Sequence, residues 1–210
     1  FEGMKLETKL PGEFSLQNCL AAATLARAFG IPTQTIRAGI ARLDHIPGRA
    51  EEIDTGQAFA VVVDYAHTPG SLEALYKAYG SRKKICVMGA TGGGRDTWKR
   101  PVMGGIADRD CAEVILTNED PYDEDPDMIV RQLARGMQRA PEIIMDRRAA
   151  IARAIEIANP GDAILITGKG TDPCICIANG KKIPWSDAEV AREELQKALA
   201  QANAPVPAEV

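Results

Sequence analysis

The stretch from Lys84 to Pro101, KICVMGATGGGRDTWKRP, holds the residues best suited to capturing an anion. Gly89, Gly92, Gly93 and Gly94 let the backbone turn tightly at positive φ and expose its N–H groups. Arg95, Lys99 and Arg100 add three cations within a few residues. Bare amides beside clustered positive charge suit a phosphate or a carboxylate, and this stretch alone does not choose between them.

Other chemically capable residues follow further apolar runs. Asp64 ends one such run, where a carboxylate can accept both hydroxyls of a ribose or cap the following helix. His67, two residues before Pro69, reads on its own as a packing histidine. Glu119, Asp120, Asp123, Glu124 and Asp125 surround Pro121 as an acidic run, either a solvated turn or an attractor for a cationic ligand group. Asp146-Arg147-Arg148 reads as a helix start. Gly168-Lys169-Gly170 imitates the end of a Walker A loop, but the lysine is followed by glycine and preceded at the required distance by Ala163. It fails as a P-loop, which leaves Lys169 as a cationic contact or a solvated loop lysine. GATGGG likewise lacks the G-x-G-x-x-G spacing of a dinucleotide site.

The elements that must position these residues alternate regularly. Phe59–Val63, Ile85–Met88, Val114–Leu116, Ile143–Met145 and Ala163–Ile166 are short continuous apolar runs, as expected for strands buried on both faces of a parallel sheet. Between them, apolar residues at helical spacing predict helices around 72–79, 129–137 and 151–158. Thr68-Pro69 and Asp125-Pro126 read as N-caps followed by proline at the first helical position. Ser186 and Glu189 form a capping box, with Trp185 and Val190 as its hydrophobic staple, opening a helix that runs to about residue 200. Strand and helix alternating this way predict an α/β fold with a doubly wound, mostly parallel Rossmann-like sheet. Ligands of such sheets bind beyond the carboxyl ends of the strands, where the charged groups above converge.

Ahead of the sheet, Met4–Leu10 reads as an edge strand, and helical spacing predicts helices around 16–26 and 35–43. The Pro-Gly link His45–Ala50 marks a domain boundary. We therefore divide the chain into 1–47, a domain from 48 to 203, and a flexible tail from 204 to 210. A chain of 210 residues with 45% hydrophobic and 26% charged residues is ordinary for a globular protein. Its net charge of −4 disfavours nucleic acid, and no apolar run is long enough to insert in a membrane. The start at Phe1, without a signal peptide, is expected of part of a longer cytoplasmic protein. The five scattered cysteines read as buried free thiols in a reducing compartment, and Cys174-Ile-Cys176 lacks the partners of a zinc site.

Taken in order, LPGEFSLQNCLAA, IPGRAE, VVVDYAHTPGSLE, GATGGGRDTWKRPVMG, TNEDPYDEDP, MDRRAAI and GKGTD resemble the Mur ligase family, most closely its tripeptide-synthetase branch, across nearly the whole chain. The resemblance implies three domains, for a UDP-sugar, for ATP, and for an incoming amino acid. Residues 1–47 would end the central ATPase domain, and 48–203 would form the amino-acid domain. It implies that ATP, with Mg2+ held in the missing central domain, phosphorylates the carboxylate of a UDP-MurNAc-dipeptide. The amine of a free amino acid then attacks the acyl phosphate. Asn18, Arg49, Asp64 and His67 match the family's ATP contacts, and Arg95 matches the arginine that clamps the amino acid's carboxylate. Glu119, Asp120, Pro121, Tyr122, Gly168 and Asp172 match positions reading the side-chain end. No catalytic residue and no metal ligand is expected in this part, and ligation is not expected from it alone.

Two motifs depart from the family's diaminopimelate-adding form. D-N-P-R is replaced by Glu119-Asp120-Pro121-Tyr122, and G-K-G-H-E by Gly168-Lys169-Gly170-Thr171-Asp172. Without the arginine, a second substrate carboxylate loses its partner, a penalty of ~1–3 kcal/mol. The acidic surroundings suit a terminal ammonium, so the expectation is L-lysine ahead of meso-diaminopimelate. The rival readings are a superfamily ligase of the folylpolyglutamate or cyanophycin synthetase kind, and a non-catalytic module binding amino acids or nucleotides.

Overall fold

A computed structural model of the chain describes residues 1–94 and 96–202, without the side chain of 202. Two glutamates that no apolar run announced form a short strand β1 (Glu51–Glu52), and the five apolar runs become strands β2 (Ala60–Asp64), β3 (Lys84–Met88), β4 (Glu113–Leu116), β5 (Glu142–Ile143) and β6 (Ala163–Thr167). They form one sheet in the order β1-β2-β6-β3-β4-β5. Every pairing is parallel except β1 with β2, so the expected α/β sheet is present with one antiparallel edge. Threading β6 between β2 and β3 brings Asp64 opposite Thr167 at the carboxyl rim.

The described residues also form seven helices: α1 (Glu13–Ala28) and α2 (Thr33–Ala41), which pack on each other beside α3, and α3 (Pro69–Ala78), α4 (Lys99–Asp110), α5 (Pro126–Ala134), α6 (Arg147–Ile157) and α7 (Asp187–Ala202), which flank the strands. Alternation along each strand builds two cores. Val62, Cys86, Met88, Leu116 and Leu165 face α3, α4 and α5. Val61, Val63, Ile85, Val87, Ile115, Ile164 and Ile166 face α6 and α7. Strands clothed on both faces have no polar side, which is why the runs read as continuous rather than alternating.

The predicted helix starts are realised. Thr68 accepts from the Ser71 amide in a reciprocal box, and Asp125 and Asp146 accept from the amides of Asp127 and Ala149. Ser186 accepts from the Glu189 amide, and Trp185 packs in the same core as Val190. Three expectations are corrected, and one pair of strands is new. Met4–Leu10 is not a strand; Met4 and Leu6 instead line a groove with Leu16, Cys19 and Ile40 and meet no sheet edge. The Ile143–Met145 run shortens to the edge strand β5, where Ile143 is exposed. A hairpin of β7 (Cys174–Ile177) and β8 (Lys181–Pro184) stands outside the main sheet. Not all cysteines are free, because β3 and the end of α4 bring Cys86 and Cys111 to a Cα separation of 6.3 Å and they form a disulfide; Cys19, Cys174 and Cys176 stay as thiols. The predicted tail at 204–210 lies outside the described residues.

Helices α4 and α5 approach so closely that their contact admits only glycine. A Cβ on Gly104 would lie 2.0 Å from the Leu133 carbonyl oxygen, and one on Gly136 would lie 1.7 Å from that of Pro101. Both obstacles are backbone and cannot rotate away. Gly136→Ala is therefore expected to destabilise the fold by ~1–3 kcal/mol through forced separation of the two helices, read as a lower urea midpoint.

Candidate functional site

Two clusters form at the carboxyl rim of the sheet. The first is a cavity of ≈560 Å³ between α1 and the β2–α3 turn. Asn18, Arg49, Asp64 and His67, the four residues expected to meet a nucleotide, all line it. Phe14, Leu75 and their neighbours make much of its wall apolar. The Arg49 guanidinium stands 4.7 Å above the Tyr65 ring, and that ring meets His67 edge-on at 4.8 Å between centroids. Such a stack holds a cation in place while leaving its edge available. His67 is also pinned by a 2.7 Å hydrogen bond between Nδ1 and the Tyr65 carbonyl.

Asp64 is more committed than the sequence indicates. Its Oδ2 accepts from the Ala50 amide and its Oδ1 from the Ala66 amide, both at 2.7 Å. It does not cap α3, because Thr68 does. Instead it fastens the His45–Ala50 link to the sheet, holding Ala50 at φ 47. Burial pushes its carboxyl above the usual aspartate range, opposed by those two amides and by the charges of Arg49 and His67.

The second cluster joins the β4–α5 loop to the turn after β6. Thr91 donates to Glu119 Oε1 at 2.7 Å, while Oε2 of that carboxylate is buried against Gly168 without a hydrogen-bond partner among the described residues. Burial pushes the Glu119 carboxyl up, with Arg147 and Thr91 drawing it back. Lys169 Nζ meets Asp120 Oδ2 at 2.7 Å and Asp172 at 3.4 Å, with the lysine side chain only 1% exposed. Burial alone would lower the Lys169 ammonium, but Asp120 and Asp172 reverse the direction and hold it above the usual lysine range. Lys169 is thus neither solvated nor available to a ligand. Asp120 Oδ1 accepts from the Cys176 amide at 2.7 Å, and the Asp120 carbonyl accepts from Gly92.

The acidic run is consumed by this network. Asp123 accepts from the Asn179 amide, Glu124 holds Arg100 at 2.9 Å and accepts from Gly94, and Asp125 caps α5. It is not a pool of free carboxylates, although Asp123 and Asp125 stay exposed to solvent, and Arg100, buried, is no longer one of three available cations. Tyr122 sits at φ 50, 38% exposed, beside the Cys176 thiol. Asp172 keeps 40% of its side chain open. Arg95 lies outside the described residues. Arg147 is buried at the helix start, donating to Asp187 and to the Thr167 and Asn118 carbonyls.

Sequence reasoning missed the residues that join the clusters. A Cβ on Gly48 would lie 2.5 Å from the Gly170 carbonyl carbon, and one on Gly170 would lie 2.8 Å from Tyr65 Cβ. Both glycines have positive φ, of 61 and 50. Their bracketing of Arg49 and Lys169 was the available signal.

Residues 48–170 match the family described as Mur ligase, glutamate ligase domain. The chain belongs to the Mur ligase family. A UDP-N-acetylmuramoyl-L-alanyl-D-glutamate–2,6-diaminopimelate ligase of Syntrophomonas wolfei is 40% identical over 200 residues, covering 92% of this chain and 40% of that protein. A UDP-N-acetylmuramyl-tripeptide synthetase of Roseiflexus sp. is 39% identical over 196 residues, covering 89% and 38%. A solved 2,6-diaminopimelate ligase of the same description as the first superposes with TM-score 0.69 at 33% identity, covering 95% of this chain and 41% of that one. The Mur ligase chain described here thus spans about two fifths of the length of these relatives.

The Lys169–Asp120 pair is the natural point to probe. Lys169→Met leaves a buried carboxylate without its cation and is expected to destabilise the protein by ~3–5 kcal/mol in urea unfolding. Adding Asp120→Asn removes the stranded charge and is expected to restore much of that loss. Additive losses in the double-mutant cycle would contradict the pairing.

Proposed function

We propose that this chain is the C-terminal part of an ATP-dependent ligase that adds a diamino acid to UDP-MurNAc-L-Ala-D-Glu in peptidoglycan precursor synthesis in the cytoplasm. The observation that carries the reading is the placement of two differently built clusters on one rim. One has an apolar wall and a stacked arginine; the other is a polar loop network. The names of the relatives, each a ligase or synthetase of muramyl peptides, support it.

In this reading residues 1–47 close the central domain and 48–203 form the amino-acid domain. On α1, Leu16 and Leu20 are exposed on one side and Leu25, with Phe29 just past the helix end, on the other, apolar surface that supports a covering domain there. Asn18 and His67 flank the base of ATP, Arg49 offers its charge to phosphate or ribose, and Asp64 orients the link carrying Arg49 while accepting from the ribose. ATP, when bound, supplies the phosphoryl group that activates the substrate carboxylate. In this reading magnesium is held in the central domain and no step here runs through it; among the described residues no three His, Cys, Asp or Glu side chains gather as metal ligands do. Among the described residues, too, no helix is long and apolar enough to cross a membrane.

Arg95 clamps the amino acid's carboxylate, a planar fork meeting a planar anion. Glu119, Asp120, Pro121 and Gly168 shape the floor, and Tyr122 and Asp172 meet the side-chain end. Asp172, held only at 3.4 Å by Lys169 and with 40% of its side chain open, is the acid of this cluster suited to a distal ammonium. Tyr122 supplies a hydroxyl where the D-N-P-R motif of the family's diaminopimelate-adding form has its arginine. Both features favour L-lysine. The names of two of the relatives described above favour 2,6-diaminopimelate instead.

Amino-acid competition on the full-length enzyme separates the two: L-lysine is expected to be incorporated ahead of meso-diaminopimelate, and the reverse order would reject the lysine assignment. The 210-residue chain alone is expected to show no ATP-dependent ligation. Turnover by it in a phosphate-release assay would contradict the division of labour between domains.

A further inference from the structure

We propose that Cys174 and Cys176 form a thiol-oxidation site, with a peroxide as oxidant, whose closure to a disulfide loosens the side-chain end of the amino-acid site. The effect on the amino acid rests on the ligase reading; the thiol chemistry does not.

Residues two apart on a strand share a face, and β7 places the two sulfurs 4.0 Å from each other. Both thiols are half-buried, so solvent-borne oxidants reach them, whereas Cys86 and Cys111 are sealed in the core. Among the described residues no third metal-ligating group joins the pair, which sets it apart from a metal site. Burial, with Cys176 adding to it, raises the Cys174 thiol, so oxidation should quicken as pH rises and thiolate forms.

The step balances with peroxide alone. One sulfur attacks an oxygen, the O–O bond breaks, and a sulfenic acid forms with release of water. The second thiol attacks that sulfur, the S–O bond breaks, and its proton leaves with the hydroxide as a second water. Two thiols are oxidised and one peroxide is reduced.

The consequence follows from where the hairpin is fastened. The Cys176 amide donates to Asp120, its carbonyl accepts from Tyr122, and Asn179 donates to Asp123. Strand residues two apart lie about 6.6 Å apart at Cα, at the long end of the ~4.4–6.8 Å that a disulfide spans. Closing the bond draws the strand in at the residue that holds Asp120. It also takes from Tyr122 the thiol beside its hydroxyl.

The test uses the full-length enzyme, treated with dilute hydrogen peroxide and mapped by non-reducing peptide mass spectrometry. A Cys174–Cys176 link is expected, with KM for the amino acid rising about tenfold while kcat stays near its starting value. Dithiothreitol should reverse both changes. Cys174→Ser should match the reduced wild type and resist peroxide, which separates the link from general oxidation damage. Unchanged thiols, over-oxidation without a link, or a link with unaltered KM would each overturn the proposal. A protein that links its thiols but ligates no amino acid would retain the oxidation site and overturn the ligase reading instead.

Discussion

The Asp120 carboxylate accepts from Lys169 on one oxygen and from the Cys176 amide on the other, while its backbone carbonyl accepts from Gly92. Two distant parts of the chain therefore converge on one buried residue: the glycine loop after β3, and the turn after β6 together with the β7–β8 hairpin that follows it. A buried charge tolerates this only when its lone pairs are filled, because an ion taken from water must recover its solvation from neighbours. The network is in that sense all or nothing. It fixes the loops to one another and leaves Tyr122 and Asp172 as its half-open edge.

The sheet supplies the rigid side of this arrangement. Parallel pairing of β2, β6, β3 and β4 brings the ends of four strands to one rim, and two cores hold them there. Arg147 reinforces the rim from the other face, joining the β6 end to α7 through Asp187, with both side chains nearly inaccessible. Loops that carry binding groups can thus be irregular, because their anchors are strand ends and buried ion pairs rather than the loops' own contacts.

Much of the fold was legible because it depends on local signals. Continuous apolar runs marked the parallel strands, and Thr68, Asp125 and Asp146 marked helix starts by chemistry that acts within a few residues. The pocket gathering Asn18, Arg49, Asp64 and His67 was legible only by likeness to a family, since α1 and β2 meet across the whole link. What escaped were long-range pairings. Nothing near Asp120 in sequence announces Lys169, 49 residues away, so its carboxylate looked available. The Glu124–Arg100 pair was hidden for the same reason. The β7–β8 hairpin was missed because its strands are short and carry exposed lysines, which blunts any period.

The contact between Gly48 and Gly170 has an architectural consequence. Here the link before the sheet and the turn after β6 touch backbone to backbone, with Tyr65 wedged beside them. Neither segment can be reshaped alone, since any atom added to one is an intrusion on the other. In a chimera between relatives, the smallest transferable piece is therefore the pair of segments, although more than a hundred residues separate them along the chain. Recombination points placed between them would divide one joint into two ill-matched halves.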